Sequence, residues 1–150
     1  MLKEKYQKSL RIVFDKSRQT IEALKTTLRS TPGSWDMTIC AGAGKLLGDL
    51  YMSIENILRL FIEGVHGERI VKDESWHLRL VDAGNEKGLL PLGISDTLQN
   101  MRSFRHRLIH GYGIEMDENK LRKIIPESIT AYEKVEAHIL IKYPELTSKE

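Results

Sequence analysis

The sequence contains a single cysteine, Cys40, so no disulfide bond can form within the chain. It has only four prolines, no low-complexity tract and no internal repeat, which argues against a linker-rich or solenoid architecture. A chain of 150 residues is long enough to bury an apolar core. We therefore expect one domain over residues 1–150, with Cys40 as a packing residue in a reducing cytoplasm.

Long apolar runs and excess charge are also missing. No stretch without a charged residue approaches the roughly 20 residues that a membrane-spanning helix needs, so we expect no membrane partner. Residues 1–8 lack the apolar core of a secretion signal, which favours a cytoplasmic protein. The net charge is +2, from 23 basic and 21 acidic side chains, so overall charge does not direct the chain to nucleic acid.

Apolar residues instead recur every three or four positions, the spacing of amphipathic helices. The first helical pattern runs from Leu2 to Leu28, and the second starts near Asp36, a good N-cap. Ser75 is expected to cap a shorter third helix, and a loop is expected over 84–93.

A fourth helix is expected after Ser95 or Asp96, ending at the glycines 111 and 113. A fifth starts at about Asp117, and Pro126 should kink it or divide it in two. No alternating pattern predicts a strand. The sequence therefore predicts an all-α fold, an antiparallel bundle of four to five helices.

Two further signals resemble functional sites, but a simpler interpretation suits them better. The run 41–45, Ala-Gly-Ala-Gly-Lys, lacks both the earlier glycine and the Ser or Thr of a phosphate-binding loop, and it lies in a helical pattern. We expect Gly44 and Gly48 to let a neighbouring helix approach closely. Histidines 66, 77 and 138 stand singly, so no metal site is predicted and structural or solvent-facing roles are expected for them.

One segment, RSFRHRLIHGYG at 102–113, stands apart because no acid occurs between Asp96 and Glu115. On a helix, His106 and His110 share a face. Two arginines border that face and are candidates for binding phosphate: Arg102 and Arg107.

These residue types can cut RNA without a metal. Imidazoles can supply a base for the 2′-OH and an acid for the leaving oxygen, and guanidiniums can stabilise the developing phosphorane charge. Residue spacing alone leaves another interpretation open: a basic helix face that is merely solvated or that contacts an acidic partner.

The string from Arg105 to Tyr112 resembles the signature of HEPN-domain ribonucleases. Its spacing, Arg, four residues, His, one residue, Tyr, is similar to that of the HepT toxins. The resemblance extends to Ser75-Trp76-His77, to the Leu-Pro loop and to Phe104-Arg105-His106. It implies a HEPN-like bundle that pairs as a homodimer, with the motifs of both subunits meeting in one cleft.

By this resemblance, Arg105 would bind and polarise the scissile phosphate, His110 would be the acid or base, and His106 would orient or assist. Arg105 and His110 differ by about 140° on an ideal helix, so a frayed helix end or the partner subunit would have to bring them together. Tyr112 resembles the tyrosine to which a minimal nucleotidyltransferase (MNT) antitoxin transfers AMP. Such a modification would add negative charge beside His110 and repel RNA.

The function expected from the resemblance is a metal-independent endoribonuclease toxin that needs no cofactor and leaves cyclic-phosphate ends, with tRNA as one candidate substrate. Two alternatives remain open. One is a catalytically inactive HEPN bundle that binds a nucleotide or a protein. The other is a structural helical adaptor whose basic strip meets an acidic surface.

Overall fold

The structure is a computed structural model that describes residues 2–73, 75–110 and 117–147. Within these ranges it contains five α-helices, one short 3-10 helix and no strand, so the prediction of an all-α bundle is confirmed. The elements are α1 (Glu4–Leu28), α2 (Met37–Gly64), α3 (Trp76–Glu86), α4 (Ser95–His110), α5 (Glu118–Lys142) and the 3-10 helix Pro144–Leu146.

Helix α2 is the centre of the bundle and contacts all four of the other α-helices. Its side chains at every third or fourth position are almost completely buried, and each such side chain stabilises the fold by about 1.5–3 kcal/mol. These include Leu50, Ile54, Ile57, Leu58 and Phe61. Cys40 in the same helix is buried, as expected of a packing residue.

The start of α2 agrees with its predicted cap, because the Asp36 carboxylate accepts a hydrogen bond of 2.9 Å from the backbone N–H of Ile39. The start of α3 differs. The Ser75 side chain makes no capping bond, and its backbone N–H instead donates to the carboxylate of Asp73 at 2.9 Å. The chain therefore turns into α3 through an Asp side chain rather than a serine cap.

Helix α3 continues through Gly84, where the sequence had predicted the start of a loop. A Cβ atom at Gly84 would lie 2.9 Å from a methyl carbon of Leu58, so this glycine serves close packing of α3 on α2. The turn comes at Gly88 instead, whose φ of 71° favours glycine. The predicted loop over 84–93 was therefore wrong at its first residues.

Helix α4 begins at Ser95 itself, so Ser95 and Asp96 both lie in its first turn rather than before it. The predicted stop at the glycines 111 and 113 falls outside the described residues. The Asp117 carboxylate accepts a hydrogen bond of 2.7 Å from the N–H of Asn119 at the start of α5. Pro126 does not divide α5, because apolar side chains before and after it pack into the same core.

The glycines of α2 differ in how closely they are approached. A Cβ at Gly48 would lie 3.6 Å from Leu108 of α4, so this glycine faces a neighbouring helix as predicted, although an alanine would also fit. Gly44 is buried. The closest approach is at Gly64, where a Cβ would lie 2.7 Å from the ring of Tyr6. None of the helices that the structure describes is long and apolar enough to cross a membrane.

Candidate active site

Helix α4 has two faces of different character. Leu98, Met101 and Phe104 recur every three residues and are buried in the core. The next face around the helix carries Arg102, Arg105, His106, Ile109 and His110, none of which is buried. Because the apolar face fixes the rotation of the helix, the basic face is held towards the surface beside α2 and α3.

This basic face lines a cleft of about 210 Å³. The cleft is also lined by one residue from α2, Tyr51, and one from α3, His77. A larger cleft of about 310 Å³ between the start of α4 and α5 is lined by no histidine or arginine among the described residues. Of these two clefts, the smaller one combines imidazole, guanidinium and phenol groups.

Arg105 reaches this cleft by extending away from its own helix. Its Nη2 atom donates a hydrogen bond of 2.9 Å to the thioether sulfur of Met52 in α2, and its Cγ packs near Gly48. A thioether is a weak acceptor, so this contact orients the guanidinium without neutralising it. The reach of the long side chain explains how Arg105 and His110 line one cleft in a single chain although they are about 140° apart on α4.

Arg102 also lines the cleft and is half-buried, and its Nε atom is buried with no hydrogen-bond partner in the described part of the chain. Within the same part, neither Arg102 nor Arg105 forms an ion pair with a carboxylate. Two guanidiniums that pair with no carboxylate of the described residues make the cleft suited to an anion such as a phosphate diester.

The imidazoles of His106 and His110 lie against each other, with ring centroids 4.3 Å apart and planes tilted by 49°. This contact is the one expected for residues four apart on a helix. The pair therefore places two proton-transfer groups at the rim of the cleft, where both are exposed. Among the residues that the structure describes, no three His, Cys, Asp or Glu side chains are placed to hold a metal ion.

Tyr51 lines the same cleft and was not anticipated from the sequence. Its side chain is 1% exposed, and its hydroxyl is buried without a hydrogen bond of normal geometry in the described residues. Burial, and then the negative charge of nearby Glu55 and a weak hydrogen-bonding interaction with its carboxylate, raise the pKa of Tyr51, whereas the charges of Arg102 and Arg105 lower it. Because the net direction is upward, the hydroxyl stays protonated at neutral pH and is a donor.

His77 was also missed, since a single histidine after a loop suggested a structural or solvent-facing role. It lies at the start of α3, lines the cleft, and its Nδ1 atom makes a short contact with an Oε2 atom of Glu55. Glu55 is the one acid buried within the described residues. Its position between Ile54 and Ile57, in an otherwise apolar helical stripe, was the available signal of a buried acid.

Two predicted residues remain, Arg107 and Tyr112. Arg107 is exposed and does not line it, so its assignment to RNA phosphate remains a prediction. Tyr112, the candidate for modification, lies outside the described residues.

Comparison with known protein families gives one match. A sequence model of a family described as HepT-like protein matches residues 42–141, from the first turns of α2 almost to the end of α5. The matched segment includes Arg105, His106 and His110 together with Tyr51 and Glu55 of α2. Neither the curated proteins nor the solved structures gave a match.

Proposed function

Because this chain belongs to the HepT-like family, a nuclease-related group of HEPN proteins, we propose that it is a metal-independent endoribonuclease of the toxin type. The observation that carries the proposal is the shared cleft: Arg105, His106 and His110 line it together, although Arg105 and His110 are five residues apart on one helix. These three side chains can supply the proton transfer and the charge stabilisation that phosphodiester transfer needs in the absence of a metal.

In the proposed reaction, Arg105 binds a non-bridging oxygen of the scissile phosphate, and Arg102 adds a second positive charge. A base removes the proton of the adjacent 2′-OH, and the 2′-oxygen attacks phosphorus. The bond from phosphorus to the 5′-oxygen breaks, and His110 donates a proton to that oxygen. The products are a 2′,3′-cyclic phosphate and a 5′-hydroxyl end. His106, in ring contact with His110, orients or assists it.

The electrostatics of the cleft support this role. Arg102 and Arg105 have no carboxylate partners among the described residues. Both can therefore stabilise the two negative charges that develop on the phosphorane. Tyr51, whose hydroxyl stays protonated, lines the cleft beside them. A site whose donors are already oriented before the substrate arrives loses little free energy to reorganisation.

Two further elements of the proposal concern partners. We propose that the protein pairs as a homodimer, so that RNA spans the clefts of both subunits. We also propose that a nucleotidyltransferase antitoxin of the MNT type adds AMP to Tyr112, two residues beyond His110. The added phosphate would repel the RNA backbone from a cleft that holds Arg102 and Arg105.

The test is cleavage of total RNA and of purified tRNA by the full chain in EDTA. Wild-type protein should leave cyclic-phosphate ends, and Arg105→Ala and His110→Ala should each lower the rate by about 100-fold or more. The matched controls are Arg69→Ala and His66→Ala, which replace exposed residues that do not line the cleft. Both controls should cut RNA at the wild-type rate.

Equal cleavage by wild type, Arg105→Ala and His110→Ala would show a contaminating nuclease and refute the assignment. No cleavage by any of them, together with tight binding of a nucleotide or a protein, would favour the catalytically inactive binding module instead. The dimer is tested separately by sedimentation, with a monomer at micromolar concentration as the contrary result.

A further inference from the structure

Glu55 is 4% exposed, in the middle of the most buried helix of the protein. Burying a carboxylate is unfavourable unless a hydrogen bond or an opposite charge compensates for its lost hydration. Its hydrogen-bonded partner among the described residues is Nδ1 of His77, which comes from another helix. A buried acid that holds one imidazole is the arrangement that orients catalytic histidines in many enzymes.

The contact with Glu55 determines which nitrogen of His77 is left to interact with a substrate in the cleft. A carboxylate accepts the proton of Nδ1–H, so Nε2 keeps its lone pair in the neutral ring. His77 lines the cleft, and Nε2 is the nitrogen that the Glu55 contact leaves for it. The ring is further fixed by Trp76, whose ring centroid lies 4.2 Å away.

His77 also differs from the other two imidazoles in its origin. His106 and His110 lie side by side on α4, with their rings in contact. His77 comes from α3 and lines the cleft together with the basic face of α4. In-line displacement places the attacking and leaving oxygens on opposite sides of phosphorus, so the base and the acid are best supplied from different helices.

We propose, on the basis of the ribonuclease function above, that His77 is the general base of the reaction and that Glu55 is its positioning residue. Nε2 of His77 takes the proton from the 2′-OH, the 2′-oxygen forms its bond to phosphorus, and the bond from phosphorus to the 5′-oxygen breaks. His110 donates the proton that the 5′-oxygen gains. Glu55 stays ionised and stabilises the imidazolium of His77.

The first test separates a catalytic His77 from a structural one. His77→Asn keeps an amide N–H close to the position of Nδ1, so it can still donate to Glu55, but it cannot accept a proton. We expect its cleavage rate to fall by about 100- to 10,000-fold with an unchanged melting temperature. Glu55→Gln should slow cleavage at least about 10-fold.

The matched control is His138→Gln. His138 is also half-buried and its Nε2 contacts the carbonyl oxygen of Gly88, outside the cleft. Glutamine can preserve that contact, so the control should cut RNA at the wild-type rate. Full cleavage activity in His77→Asn would overturn the proposal and leave the contact with Glu55 as a structural link between α2 and α3.

The second test assigns the base and the acid. The probe is a short RNA that contains the cleavage site mapped with wild-type protein, with sulfur replacing the bridging 5′-oxygen. A thiolate leaves without a proton, so this RNA should restore cleavage by His110→Ala to within about 10-fold of wild type while leaving His77→Asn inactive. Restored cleavage by His77→Asn would make His77 the acid and overturn the proposal.

If His77→Asn proves less stable than wild type, His77→Ala with added imidazole replaces it. Cleavage that returns as imidazole is added supports the base, and a rate that stays low at all imidazole concentrations overturns it. A wild-type protein that does not cleave RNA would refute the proposed function and this inference together. Wild-type cleavage with an active His77→Asn would refute this inference alone.

Discussion

Two helices of this protein carry a tyrosine followed four residues later by a glutamate, and the two pairs are used differently. In α5, the Tyr132 hydroxyl donates to Oε1 of Glu136 at 2.9 Å, and Arg18 donates to Oε2 at 2.6 and 3.0 Å. In α2, the Tyr51 hydroxyl has no such bond among the described residues, and His77 holds Glu55.

The difference teaches how a fold separates structural polar groups from reactive ones. The Tyr132 hydroxyl, the Glu136 carboxylate and the Arg18 guanidinium bond to one another, so the α5 group stabilises the contact between α1 and α5. The α2 group lines a cleft, and its tyrosine hydroxyl has no hydrogen bond of normal geometry among the described residues. Such unsatisfied groups lower stability unless a ligand completes them, which is typical of binding sites.

The arginines repeat this contrast. Arg122 pairs with Glu118 at 2.7 Å, donates to the carbonyls of Leu28 and Thr31 at 3.1 Å, and lies 4.4 Å from the ring centre of Trp35. The guanidinium of Arg105, by contrast, donates a hydrogen bond to the thioether sulfur of Met52. The first guanidinium joins three segments of the chain, and the second is available to a phosphate.

The largest expected effect comes from exchanging these two arginines for alanine. Arg105→Ala should lower RNA cleavage by about 100- to 1,000-fold, because it removes a charge from the transition state. Its free energy of unfolding should change by about 0.5 kcal/mol or less. Arg122→Ala should do the reverse and lose about 2–3 kcal/mol of stability, because several charged hydrogen bonds are lost.

Urea titration and cleavage assays on the same preparations would measure both effects. Arg122→Ala should cut RNA at close to the wild-type rate below its unfolding transition. A large loss of stability in Arg105→Ala, or of activity in folded Arg122→Ala, would remove the distinction between a structural and a substrate-binding arginine.

A smaller effect is expected from the two tyrosine hydroxyls. Tyr132→Phe should lower the free energy of unfolding by about 1 kcal/mol, because it breaks a satisfied hydrogen bond. Tyr51→Phe should cost less stability, because its buried hydroxyl has no hydrogen bond of normal geometry in the described protein and interacts only weakly with nearby Glu55. It should slow cleavage about threefold to tenfold, because Glu55, which holds His77, loses its polar neighbour.

Thermal unfolding and initial cleavage rates measure this pair. A loss of stability in Tyr51→Phe equal to that in Tyr132→Phe would mean that both tyrosine–glutamate pairs are structural.

The smallest effect is expected at Arg107, which is exposed and lies outside the cleft. Arg107→Ala should weaken RNA binding a few-fold at low salt and reduce the slope of log affinity against log salt by about 0.7, the value for one contact to a single strand. The cleavage rate at saturating RNA should not change. A fall in that rate as large as in Arg105→Ala would place Arg107 inside the catalytic site.

Most of the fold could be predicted, because the spacing of apolar residues that indicates a helix is visible within a short stretch of sequence. The all-α class, the start of α2 at Asp36 and the start of α5 at Asp117 followed from apolar spacing and capping residues. The errors came where a residue has two possible uses. Gly84 suggested a turn but serves helix packing, and of the two outcomes expected at Pro126, a kink or a division, the division does not occur.

The site was half predictable. Arg102, His106 and His110 share or border one helix face, so their spacing marked them as candidates, and the resemblance to the HEPN signature added Arg105. The residues from other helices carried no such signal, because Glu55 and His77 are 22 positions apart. The contact between Glu55 and His77 depends on how α3 packs on α2, and no local sequence pattern predicts that packing.

The sequence by itself therefore determined the helices and the basic strip on α4, because periodicity and charge act over a few neighbouring residues. Only the tertiary structure decided that this strip closes a cleft with Tyr51 and His77. It also decided that Arg102 and Arg105 meet no carboxylate in the described chain, whereas Arg18 and Arg122 do. The physical reason is that packing of apolar faces sets the rotation of each helix, and the rotation decides which polar groups meet.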